Sequence, residues 1–318
     1  MMCTCSVRAL IRFLIYMSMS VSKSSVDKSL HQVGTANPLN QLELTQLLEH
    51  LEKDMPRSLY MIASIQSSQK NSKFSSLFYT DNWPSFSVVI SKPEETKSEV
   101  HINYYLVYFQ SGKEAKGLEF LRKNDFIDWS QNFLLVCPSP LYQYIGEVAS
   151  EHGGKLDEDN EAQCHILYVN DEGSIPKMAI PDSFKEGVLS AEHSHQVNSE
   201  WKYGGTERKR TYIQSLIENF PTVALFTAQG QCIAYMIANE HGGMGMLHVT
   251  PEHRGKGCAK YVITTLAKKH VQVGHYPYLY IETDNEASLL LHLKCGFHLV
   301  ENFQIKFVPY IGHRSLHP

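Results

Sequence analysis

Apolar residues recur along this chain in two alternating rhythms, a period near 3.6 and short unbroken runs. Leu39, Leu42, Leu47, Leu48 and Leu51 share one side of a helical wheel, which predicts a helix over 38–54 ended by Pro56. Runs at 60–65, 86–90, 104–109, 133–137 and 164–169 read as strands, and 104–109 is rich in aromatic and β-branched residues. Helical spacing returns at 115–124 and 142–152, while 155–161 reads as an acidic loop. This alternation predicts an α/β layer over the first half. Gly173, Pro176, Pro181 and Asp182 mark 171–186 as a linker.

Beyond the linker, Ser190 is placed to cap a helix running toward Glu200, and Trp201 to Gly205 breaks it. Thr206 caps the next, whose Tyr212, Ile213, Leu216, Ile217 and Phe220 face inward. Residues 222–227 and 232–238 read as strands about a turn, and His241-Gly242-Gly243 leads into a third at 244–249. A helix follows with Ala259, Val262, Ile263, Leu266 and Ala267 on one stripe and Gly274 as its stop. A strand at 279–283, a helix opened by Asn285 and a strand at 303–308 complete the pattern. The order is two helices, three strands, helix, strand, helix, strand.

The joint between 244–249 and its helix carries the clearest chemistry. It reads Pro251-Glu252-His253-Arg254-Gly255-Lys256-Gly257-Cys258-Ala259. No Ser, Thr, Asp or Asn caps the helix, so its first N–H groups await an acceptor, and an anion suits them and the helix dipole. Two glycines let a phosphate approach. A Walker loop would need Ser or Thr where Gly257 stands, and a dinucleotide fingerprint would need glycine where Lys260 stands.

Composition narrows the partners. The 318 residues suffice for two domains, and 43% apolar with 19% charged residues describes a globular chain. A net charge of −4 gives no footprint for nucleic acid. Seven scattered cysteines include no C-x-x-C, so neither a zinc site nor a disulfide framework is indicated. His193-x-His195 lacks a third ligand, so no metal is expected. The first 26 residues are basic, serine-containing and free of acid, which fits a mitochondrial presequence; a secretory signal or a later start at Met17 or Met19 are the other readings. The apolar run at 10–19 is too short to span a bilayer, so no membrane partner is expected.

Arg254-x-x-Gly257-x-Ala259 after a strand, with Asn285 opening a helix that ends in Gly296-Phe297, resembles the acyl-CoA loop and second motif of the GNAT acyltransferase superfamily. Trp83-Pro84-x-Phe86, Trp201-x-Tyr203-Gly204-Gly205-x-Glu207-Arg208, Phe220-Pro221-Thr222 and Pro251-Glu252-His253-Arg254 are similar to the glycine N-acyltransferase family. The resemblance implies an α/β (α+β, mixed-sheet) GNAT fold, with the N-terminal α/β part compatible with a degenerate GNAT-like unit. The expected division is a leader at 1–28, an N-terminal domain at 29–178 and a GNAT acyl-CoA-binding catalytic domain at 179–318. Implied too are transfer from acyl-CoA to the amine of glycine or a similar small amino acid, a mitochondrial setting (the alternative being cytoplasmic), no prosthetic group and a monomer. Two other readings stay open, an acyl-CoA-binding module of weak activity and a GNAT acetylating another amine.

By the same resemblance Val249, Arg254, Gly255, Lys256, Gly257, Cys258, Ala259 and Asn285 are the expected acyl-CoA contacts. The Val249 N–H is also expected to hold the thioester carbonyl. The position matching the family's general base is Gly243, so the base does not carry over. Glu282, His248 and Glu240 are the candidates, with Glu282 favoured because it lies on the strand flanking the expected gap; Glu240, at a turn, is expected to be solvated. His248 alternates with Val249 and is expected to face the other side of the sheet. His292 stands where superfamily members often have a Tyr proton donor for the leaving thiolate. Cys258 reads as a small packed residue.

Overall fold

In the computed structural model the described residues are 37–94, 103–123 and 127–313. The leader expected at 1–28 lies outside them. The first half contains α1 (Gln41–Glu52), α2 (Leu59–Lys70), β1 (Ser76–Thr80), β2 (Val88–Pro93), β3 (Tyr104–Phe109), α3 (Glu114–Lys123), β4 (Phe133–Pro138), α4 (Tyr142–Glu151), a short β5 (Lys155–Leu156) and β6 (Ala162–Tyr168). The rest contains β7 (Lys185–Gly187), α5 (Ser194–Glu200), α6 (Glu207–Asn219), β8 (Thr222–Phe226), β9 (Cys232–Ala238), β10 (Met244–Val249), α7 (Cys258–Gln272), β11 (Tyr278–Glu282), α8 (Glu286–Leu293) and β12 (His298–Ile311). Asn40 begins α1 with a capping box to Glu43, and Thr206 caps α6 through the Lys209 N–H.

One expectation fails at α2. The run at 60–65 is helical, not a strand, and every residue from Leu59 to Ile65 is buried. A short apolar run buried on all sides gives no periodicity by which to tell strand from helix. Each large side chain buried there contributes about 1.5–3 kcal/mol.

The strands form one mixed sheet in the order β1-β2-β3-β4-β12-β6-β11-β10-β9-β8-β7, with β5 beside β12. Two runs of elements repeat within it: α1-α2-β1-β2-β3-α3-β4-α4-β6 and α5-α6-β8-β9-β10-α7-β11-α8-β12. In each, the third and fourth strands pair in parallel. The last strands are exchanged. Here β6 lies against β11, β12 lies against β4, and the two meet at the centre of the sheet. The repeat gives the N-terminal part the element order of a second GNAT-like unit. Helices α1 and α2 cover one face over the first half, and α3 and α4 the other; α7 and α8 pack beneath the second half, with α5 and α6 on their own cluster. Among the described residues no helix is long and apolar enough to cross a bilayer.

Candidate active site

The joint between β10 and α7 is built as an anion cradle. Gly255 and Gly257 have φ of +77° and +83°, the left-handed region that other residues enter only with strain. A Cβ on either would meet nothing within 4 Å, so the approach is open. Gly257 is the N-cap residue of α7 and offers no side-chain cap. Among the described residues no oxygen accepts a hydrogen bond from the N–H groups of Gly255 to Ala259. Those donors converge where the helix dipole favours negative charge.

Beside the cradle the sheet opens. β10 and β11 share a single register pair, Met244 with Leu279. A bulge between Gly245 and His248, with Met246 at a φ of +52°, bends β10 away. The Thr250 N–H donates to Ile233 O on β9 at 2.9 Å, so alternation turns the Val249 N–H toward the gap. Thus a donor, a gap and a phosphate cradle follow one another along the chain.

Bordered by both β10 and β11 lies a cavity of about 360 Å³, mostly apolar and bounded by both halves. Tyr104, Val136 and Phe307 form part of one wall, and Lys209, Tyr212 and Leu216, a stripe of α6, form another. Two carboxylates reach it. Glu282 is ion-paired with Lys202 and accepts a hydrogen bond from Tyr203. Glu240, 7% exposed, accepts from the Tyr212 hydroxyl at 2.9 and 2.8 Å. Burial first, then the neighbouring carboxylates, hold the Tyr203 and Tyr212 phenols well above their ordinary range, so both remain donors.

Residues 38–221 match the sequence profile described as aralkyl acyl-CoA:amino acid N-acyltransferase, more than half of the chain. The chain belongs to this family. Residues 223–305 match the profile of FR47-like proteins. The chain is 27% identical to human glycine N-acyltransferase over 274 residues, 79% of this chain and 90% of that one. It is 25% identical to bovine glycine N-phenylacetyltransferase, covering 77% and 89% of the two chains. Among solved structures, a Drosophila protein superposes with a TM-score of 0.72 at 17% identity, over 87% of this chain and 99% of that one. A GCN5-related N-acetyltransferase from Kribbella flavida superposes at 0.50 and 15% identity, over 80% and 96%. The fold is that of the GNAT acyltransferases, and the chemistry is acyl-CoA-dependent N-acyl transfer.

Within this N-acyltransferase the residues singled out in the sequence scatter more than expected. Glu282 and Asn285 line the cavity, and Asn285 also caps α8 by accepting from the Ser288 N–H at 3.1 Å. The Arg254 Nε donates to Val249 O at 3.1 Å, stitching the cradle to the strand, while Lys256 is exposed. Cys258 is packed under the cradle, and burial raises its thiol. His193 closes a capping box with Ser190.

Two placements alter the sequence reading, those of Glu240 and His292, and that of His248 agrees with it. Glu240 is buried, not solvated, because the turn after β9 folds back under Tyr212 of α6. His248 stacks on Tyr235, with Nε2 3.5 Å from Glu200, and does not reach the cavity. His292 is 2% exposed, and burial lowers its pKa, so it is neutral rather than an imidazolium. Its Nδ1 lies 2.8 Å from Ser288 O, which commits the single ring proton to that carbonyl and leaves Nε2 a bare acceptor. Sequence reasoning missed Lys209 and Tyr203 as pocket residues. Their signal was present in the polar positions within the α6 stripe and the Trp-x-Tyr-Gly-Gly break.

Proposed function

We propose that this enzyme transfers an acyl group from acyl-CoA to the amine of glycine or a similar small amino acid. The observation that carries the reading is the parted strand pair, with open amides at one end and a closed-in cavity holding carboxylates beside it. Acyl-CoA would lay its diphosphate on residues 255–259 and thread its pantetheine into the gap, with the Val249 N–H on the thioester side. The acceptor would enter the cavity. The ammonium first gives one proton to a base; the neutral nitrogen then bonds to the carbonyl carbon, the C–S bond breaks, and the second nitrogen proton ends on the departing sulfur, which leaves as free thiol.

Glu282 is proposed as that base. From the shared register at Met244 and Leu279, it lies three residues along β11, about level with Leu247 across the gap. Gly243, at the family's base position, supplies no carboxylate, and it is closely packed: a Cβ there would stand 3.2 Å from Tyr278 Cζ and 3.3 Å from Asn239 Nδ2. His292 is proposed to hold the pantetheine arm by accepting a hydrogen bond. The human and bovine relatives named for glycine support glycine as acceptor. A mitochondrial setting is proposed from the basic, acid-free leader.

The test is free-thiol release from benzoyl-, acetyl- and long-chain acyl-CoA, with and without glycine. Glycine-dependent release is expected. Saturable acyl-CoA binding with no release under any amine would establish the second reading, a binding module that lost turnover, for which Gly243 speaks.

A further inference from the structure

The loop that joins α5 to α6 sets two consecutive side chains against one carboxylate. It reads Trp201-Lys202-Tyr203-Gly204-Gly205 and is closed tightly: the Gly204 N–H donates to Trp201 O at 2.8 Å, and the Gly205 N–H to Asn198 Oδ1 at 3.0 Å. A Cβ on Gly204 would run into Asn198 O, so glycine is what lets the chain turn this sharply. The Trp201 ring packs edge-on against Tyr203 at 5.6 Å. Held this way, Lys202 reaches Glu282 Oε2 and the Tyr203 hydroxyl donates to Glu282 Oε1. Tyr203 lines the cavity beside Glu282. Other phenols on those walls are engaged elsewhere: Tyr212 donates to Glu240, Tyr104 shares a hydrogen bond with Ser76, and Tyr280 packs edge-on against Tyr278.

We infer that Tyr203 delivers the proton that the departing sulfur takes, as a relay from Glu282. This rests on the transferase reading with Glu282 as base, and adds the acid half of the reaction to it. Once nitrogen has bonded, nitrogen and sulfur are substituents of one carbon, so a donor one hydrogen bond from the base that serves nitrogen is placed to serve sulfur. His292 cannot fill that role, because its single ring proton is committed to Ser288 O. The phenol alone is a poor acid, since burial first and then the Glu282 carboxylate hold its proton. Joined to a protonated Glu282 the balance reverses, because an ordinary glutamic acid is about 4 units more acidic than an ordinary thiol. The first ammonium proton passes from Glu282 to water before attack. After attack Glu282 takes the second nitrogen proton, the carboxyl passes a proton to the Tyr203 oxygen, and the Tyr203 hydroxyl proton goes to sulfur as the C–S bond breaks. One proton has then left nitrogen and one has reached sulfur, and Glu282 and Tyr203 end as they began.

The experiment compares glycine with aminooxyacetate, a glycine analogue whose nitrogen is already neutral at pH 7, in the wild type, Tyr203→Phe and Glu282→Gln, with benzoyl-CoA as donor. Aminooxyacetate needs no base before attack but still leaves sulfur in need of a proton. Tyr203→Phe is expected to lower kcat at least tenfold with both amines, with acyl-CoA affinity by calorimetry within twofold of the wild type. Glu282→Gln should lose more with glycine, and with aminooxyacetate recover only to the level of Tyr203→Phe, because both then lack the relay. If aminooxyacetate restores Tyr203→Phe to the wild-type rate, the phenol merely positions the carboxylate and the inference is overturned while Glu282 stands as base. Wild-type turnover of glycine by Tyr203→Phe would overturn it equally. Glu282→Gln turning over glycine at the wild-type rate would defeat the base and the relay together, and a wild type that releases no thiol with either amine would defeat the transferase reading itself. One measurement needs no variant. In single turnovers of the wild type with aminooxyacetate, heavy water should slow thiol release at least twofold, and an unchanged rate would mean that sulfur departs without a proton in flight.

Discussion

The two halves run the same order of helices and strands and differ where a ligand would sit. In the first half β3 and β4 stay paired over three residues, Tyr104 to Leu106 against Leu134 to Val136. In the second, β10 and β11 keep one pair and then part. The turn into α3 is short, and the Gly112 N–H donates to Glu114 Oε1 at 3.0 Å, so the helix start supplies its own anion. The turn into α7 is long and supplies none. Gly117 of α3 lies so close to the sheet that a Cβ would stand 2.6 Å from the Phe109 ring, whereas the space around Gly257 is open. The lesson is that a binding site here is an interaction left unmade. The first half satisfied its donors internally and became a wall for the cavity of the second.

This contrast can be broken at several points. Glu282→Gln should have the largest effect, lowering kcat by about 10²–10⁴-fold as expected for loss of a general base, with acyl-CoA binding by calorimetry unchanged. Turnover at the wild-type rate would move the base to Glu240. Gly257→Val should come next. The left-handed φ costs a branched residue about 1–2 kcal/mol, and its methyls cover the amides, so acyl-CoA affinity should fall by roughly tenfold or more. Wild-type affinity would mean that the cradle does not grip the diphosphate.

A third test addresses the seam between the halves. The Lys70 Nζ of α2 lies 2.8 Å from His275 Nε2 and donates to Val273 O at 2.7 Å. Burial, with Lys70 adding to it, pushes His275 down to about 4. The unfolded chain takes up its proton near 6.5, so stability from this group is present above that pH and is lost as pH falls toward 4. The Tm should drop by ~5 °C between pH 7 and pH 5, and His275→Gln should flatten part of that slope. The smallest effect is expected from Glu114→Ala, which should change acyl-CoA affinity by less than about twofold, because the first half holds no diphosphate. A larger loss would erase the distinction between the halves.

How far the sequence carried this picture depends on the range of each contact. The cradle was legible because its evidence is local, being two glycines, an absent cap and an apolar stripe within one turn of each other. The order of elements after residue 190 was legible for the same reason. The helix at α2 was misread because uniform burial erases periodicity. The exchange of β6 and β12 left no mark, since Cys164 to Tyr168 reads as a strand whichever neighbour it joins. Glu240 looked like a turn residue until α6 brought Tyr212 over it, and Lys209 looked like one charge on a helix until the cavity gave it a setting. Apart from α2, each miss is a long-range pairing, and residue type alone does not name a distant partner.

The exchanged strands have a mechanical consequence. A protease cut between residues 177 and 183 would sever the chain without releasing either piece, because β6 is clasped between β11 and β12. The two fragments should stay together through gel filtration and part only in denaturant. Produced separately, neither would present a finished sheet edge at its centre, so each should be soluble only with the other.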